Sequence, residues 1–84
     1  MRPLKFDISK SPRCCITLYG VHRHGRLWLF EFLAADRGYA VVKDYDPNKR
    51  LYHVWFFYNE GGLLHETWMR PNEITPIEHG KCPG

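Results

Sequence analysis

The sequence predicts an all-β domain: an antiparallel five-stranded meander that closes into a small barrel or a strongly curved sheet. Three observations lead there. Breaks built from glycine, proline, asparagine and aspartate fall at residues 22–25, 35–38, 46–49 and 59–62, roughly a dozen residues apart, the rhythm of short strands joined by tight turns. The stretches between them are rich in β-branched and aromatic residues, which suit a pleated surface. Residues 26–38, the stretch most open to a helical reading, show no clean polar stripe.

The elements follow in chain order. Residues 1–13 carry Pro3 and Pro12 among scattered apolar side chains and read as an arm, with room for a short edge strand at 4–8. The β domain spans residues 14–78, and residues 79–84 form a tail. The first strand, 14–21, ends at His22-Arg23-His24-Gly25, and the second, 27–34, ends at Ala35-Asp36-Arg37-Gly38. The third, 39–45, closes on Asp46-Pro47-Asn48-Lys49, where Pro47 presets φ and Asp46 can accept from the backbone two residues on. The fourth, 51–58, ends at Asn59-Glu60-Gly61-Gly62, and the fifth, 63–70, stops at Pro71. In three of the four breaks a glycine stands where a hairpin loop needs a left-handed residue. Any helix is expected to be short and confined to residues 70–77 or the termini.

Residues 26–38 have a helical alternative, because leucine and alanine are good helix formers and Gly38 could cap a C-terminus. Projected at about 100° per residue, Arg26 and Arg37 share a side, but Glu31 and Asp36 fall away from it. A strand is therefore expected, with Trp28, Phe30, Phe32 and Ala34 on one face and Leu27, Leu29, Glu31 and Leu33 on the other. The fourth strand sets Leu51, His53, Trp55 and Phe57 against Tyr52, Val54, Phe56 and Tyr58. Both strands are apolar on two faces, whereas an antiparallel sheet in a small domain usually wets one. That implies tight closure or an apolar patch kept for a partner.

With 84 residues the chain makes one domain with a thin stability margin, and its 15% aromatic content suits both a compact core and an interface. The net charge of +3 is scattered, which permits an anionic partner without specifying one. Three cysteines do not make a disulfide framework, and an odd count without an apolar leader predicts a reducing, cytoplasmic setting. No run approaches the roughly 20 apolar residues of a membrane span.

Residues 40–77, AVVKDYDPNKRLYHVWFFYNEGGLLHETWMRPNEITPI, resemble a Tudor-type or SH3-like small barrel. A strand leads through an acidic-Pro turn into an aromatic strand, a glycine turn, a strand bearing Trp68 and a Pro-Asn-Glu-Ile turn. The resemblance implies a short 3-10 piece over residues 70–74. It also implies an aromatic cage for methylated lysine or arginine, for which Tyr45, Tyr52, Phe56 and Trp68 are the candidates.

Candidate sites carry plain structural alternatives. His22-x-His24 and His79-x-x-Cys82 have ligand-like spacing but match no zinc pattern, so no metal or other cofactor is expected. One of Cys14 and Cys15 should be core. Glu31, His53, His65 and Glu66 are the groups available for acid–base work, yet each is more simply a paired or solvated side chain. An enzyme is therefore the less favoured class, unless His53, His65 or Glu31 converge from several copies. Stacking of bases on Tyr52, Phe56 and Tyr58 beside Lys43, Lys49, Arg50 and Arg70 would make a single-stranded nucleic-acid site. The leading expectation is a non-enzymatic module acting through one aromatic face, as a homodimer or on a protein or peptide. Its residues are Trp28, Phe30, Tyr52, Trp55, Phe56, Phe57 and Trp68, with Arg50 beside them.

Overall fold

The computed structural model describes residues 5–34, 38–77, 80 and 82. Its five strands are β1 (Arg13–Ile16), β2 (Tyr39–Asp46), β3 (Leu51–Phe57), β4 (Leu63–Met69) and β5 (Ile74–Pro76). They form one antiparallel sheet in the order β4-β3-β2-β1-β5. Two short helices, α1 (Leu18–Arg23) and α2 (Leu27–Ala34), lie between β1 and β2, and 3-10 turns occupy Ile8–Lys10 and Pro71–Glu73. The fold is predominantly β.

Two expected turns are present. Asp46 Oδ1 accepts from the amides of Asn48 and Lys49 at 2.9 and 3.3 Å, closing the β2–β3 hairpin as an Asx turn. Gly61, at φ 98°, takes the left-handed position in the β3–β4 turn. The 3-10 piece near the C-terminus is also where the resemblance put it. The break expected at 35–38 falls on residues 35–37, outside the described residues.

Other expectations are corrected. Residues 27–34 are a helix, not the second strand. Its Trp28 and Phe32 turn toward the sheet and both pack on Phe56, with centroids 4.9 and 5.0 Å away, and Leu29 is fully buried. Leu27, Phe30 and Leu33 are left exposed, which is why the apolar pattern had no wet stripe to reveal a helix. The first strand stops at Ile16. Thr17 then caps α1, its hydroxyl accepting from the Gly20 amide at 3.0 Å, so the 22–25 break is the end of a helix and not a hairpin turn. Among the described residues 5–8 there is no edge strand, and Phe6 is instead buried in the core. Cys15 and Cys82 are joined by a disulfide, so the cysteines are not all reduced and the tail is tied to β1. Cys14 alone is a free thiol; burial pushes it up to about 12.

Arg70 and the Pro71–Glu73 turn are all that separates β4 from β5, although three strands lie between them in the sheet. Crossing a flat sheet of that order takes about 19 Å laterally, more than five residue steps of about 3.6 Å can supply once the offset along the strands is added. The sheet is therefore curled, with its edges drawn toward each other but not paired. Inside the curl lie Ala40, Val42, Tyr52, Val54, Phe56, Met69 and Ile74, each almost fully buried.

Candidate functional site

Strand alternation divides β3 into two populations. Tyr52, Val54 and Phe56 point inward, while Leu51, His53, Trp55 and Phe57 point to the outer face and stay half-buried. Register extends that outer row across its neighbours. His53 faces Trp68, Trp55 faces Glu66 on β4 and Val41 on β2, and Phe57 faces Tyr39. Rings stack along the row: His53 on Trp68 at 4.6 Å and Tyr39 on Phe57 at 5.0 Å between centroids. Trp55 joins them, 6.2 Å from His53 and 6.3 Å from Phe57.

Charges frame the row. The β2 register steps from Val42 opposite Val54 to Asp44 opposite His53, so Lys43 is the extra residue of a bulge. Its ammonium lies 5.1 Å from the Trp55 ring centroid, and the Arg13 guanidinium lies 4.4 Å from that of Tyr39. Glu66 lies 3.9 Å from His53. The Trp55 indole N–H is buried and finds no acceptor among the described residues.

A second cluster sits where the 3-10 turn meets α1. Glu73 is 1% exposed, and its carboxylate is engaged by His24 Nε2 at 2.5 Å, Arg23 Nε at 3.4 Å and the Arg70 amide at 3.3 Å. Thr17 holds the same turn, donating from its amide to Glu73 O at 3.0 Å and from its hydroxyl to Asn72 O at 2.7 Å. Gly20 lets α1 come this close, for a Cβ there would lie 2.3 Å from Glu73 O. Against this clasp lies a concavity of about 480 Å³, lined by Arg23, His24, Lys49, Trp68, Arg70 and Glu73 among others.

The expected aromatic face is thus only partly assembled. Trp55, Phe57 and Trp68 share the outer face of the sheet. Tyr52 and Phe56 are core, 2% and 0% exposed, because alternation turns them inward. Trp28 lies under the sheet, stacked on His65 at 4.2 Å, and Phe30 projects from the far side of α2. Arg50 stands exposed in the β2–β3 turn at φ 56°. The cage set fails for the same reason, since Trp68 is on the opposite face from Tyr52 and Phe56. The base-stacking set loses two of its three rings to the core.

Of the catalytic candidates, His53 and Glu66 meet on the outer face at 3.9 Å, while Glu31 and His65 lie apart from that pair. Glu31 is exposed on α2, so it interrupts no buried strand. His53 belongs to the outer row and His65 to the inner face, where burial holds its pKa below the usual imidazole range, with the charge of Glu66 opposing and that of His24 assisting. No cluster of metal-ligating side chains occurs among the described residues. His24 is bound to Glu73, Cys82 is in the disulfide, and His79 lies outside the described residues. Glu73 itself escaped the sequence reading; the signal was an acidic residue three positions after Arg70, whose amide it can accept from.

No helix among the described residues is long and apolar enough to cross a membrane. The chain matches no family model, and comparison with curated proteins and with solved structures found no match.

Proposed function

We propose that the protein is a non-enzymatic binding module that engages a protein surface, above all a second copy of itself, on the outer face of β2–β3–β4. The half-buried aromatic row carries this reading: Tyr39, Trp55 and Phe57, with Trp68 at the margin, lie together on one face with no element among the described residues laid over them. A contiguous patch of this kind on a small protein usually has a use, and a two-fold axis covers it with the same surface from the other copy. Charge favours protein over nucleic acid there, because Arg13 and Lys43 are matched by Asp44 and Glu66 on the same side. The curl of the sheet and the 3-10 turn between its edge strands support an SH3-like small barrel with two helices inserted after the first strand. The disulfide removes the argument for a reducing, cytoplasmic setting, since such bonds persist mainly in oxidising surroundings.

Sedimentation equilibrium on the full chain tests the reading. A dimer is expected that Phe57→Glu disperses and Phe30→Glu leaves intact. A monomeric wild type, or a dimer lost only with Phe30→Glu, overturns it.

A further inference from the structure

The concavity beside the Glu73 clasp is distinct in character from the outer row, which it meets only at Trp68. Four of its walls are basic: Arg23, His24, Lys49 and Arg70. One carboxylate, Glu73, belongs to it, and that group is withdrawn into the wall with His24 and Arg23 already upon it. Arg23 spends only its Nε on this contact, leaving the terminal nitrogens of the guanidinium fork. Lys49 and Arg70 form no side-chain hydrogen bond or ion pair with the described residues. The pocket therefore presents three cationic side chains with donors to spare around a single neutralised acid.

Trp68 supplies the other half of the geometry. It is 41% exposed, and its ring lies nearly parallel to His53, 13° between planes. His53 is its partner on β3, and β4 is the edge of the sheet, so among the described residues the indole's second face has no strand beside it. A flat π-surface free on one side, next to a cluster of arginine and lysine, is the arrangement that takes a base and its phosphate together.

We propose that this pocket binds a phosphate of single-stranded nucleic acid, with the adjoining base stacked on the free face of Trp68. Arg23, Lys49 and Arg70 hold the phosphate oxygens, and His24 with Glu73 keeps Arg23 in place. The site extends beyond the outer-face reading, since it depends on cations that the dimer contact does not use. A phosphopeptide would satisfy the cations but leave the indole face without its partner.

Fluorescence anisotropy of a fluorescein-labelled oligodeoxythymidine, titrated with the full chain at a series of salt concentrations, tests this. Binding should weaken linearly in log affinity against log salt, and Lys49→Gln or Arg70→Gln should each reduce the slope by about 0.7. Trp68→Leu should lower affinity by about 5- to 150-fold, the worth of one base stack. Unchanged thermal midpoints in these variants would show that each still folds. Absence of binding at low salt overturns the proposal, as does binding that none of the three substitutions alters. Equal affinity for a phosphoserine peptide of matched charge overturns the nucleic-acid assignment. Phe57→Glu should leave oligonucleotide affinity intact, so failure of the dimer reading and failure of this one are told apart.

Discussion

The inner and outer faces of β3 use nearly the same residue types for opposite ends. Tyr52, Val54 and Phe56 are 2%, 0% and 0% exposed and are wrapped by Phe6, α2 and the neighbouring strands. His53, Trp55 and Phe57, one step along the chain from each, are only half-covered, and what lies against them is each other, Tyr39 and Trp68, and the Lys43 ammonium over Trp55. Aromatic content thus does not mark a core. A ring becomes core when another element of the chain is laid over it, and here the helices between β1 and β2 are laid over one face alone.

The largest expected difference follows directly. Phe56→Ala should cost about 3–5 kcal/mol, enough to unfold much of a small domain, while Phe57→Ala should cost about 1 kcal/mol or less and act on association instead. Urea denaturation beside sedimentation separates the two effects; equal destabilisation by both would erase the distinction between the faces.

The disulfide sharpens the comparison at β1, where Cys14 belongs to the core cluster and Cys15 does not. Cys15 and Cys82 are 67 residues apart, so their bond closes a loop spanning most of the chain. Replacing both with serine should lower stability by about 2–4 kcal/mol. Thermal melts with and without a dithiol check this, and a wild type insensitive to the reductant would show that the bond does not hold the fold.

The Glu73 clasp is the polar counterpart of the apolar core. Glu73→Ala leaves His24 and the Arg70 amide without their acceptor and should cost about 2–3 kcal/mol, the lower range for a buried charge whose partners are partly in water. Glu73→Gln should recover part of it. Loss of stability below about 0.5 kcal/mol would mean that the carboxylate is dispensable to the packing of α1.

The smallest effect concerns pH. His65 is held below its ordinary value of 6.5, chiefly by burial, so the unfolded chain binds its proton more readily than the folded one. Stability from this group is therefore complete above pH 6.5 and declines as pH falls below it. Phe or Gln at position 65 should flatten that part of the stability profile, as chemical denaturation at several pH values would show. An unchanged slope would assign the acid sensitivity to other groups.

The parts of this protein that rest on local chemistry are written in the chain alone. Asp46-Pro47-Asn48 and Gly61 require turns, period-two alternation sorts β3 into two faces, and Pro71 ends β4, so three consecutive strands were legible; the 3-10 turn was expected only from the resemblance. Trp55, Phe57 and Trp68 could be read as candidates because alternation is a property of the chain alone. The tertiary structure decided the rest. Residues 27–34 carry a single polar side chain, Glu31, so periodicity could not separate strand from helix; the choice fell to which conformation lets Trp28 and Phe32 reach Phe56 together. Whether an aromatic is core or surface depended on where that helix came to lie. The joining of Cys15 to Cys82, and of Glu73 to His24 and Arg23, depended on the curl of the sheet. Each of those contacts unites residues about 50 or more positions apart, and loop closure over such lengths is settled by the packing of the whole chain, not by any segment of it.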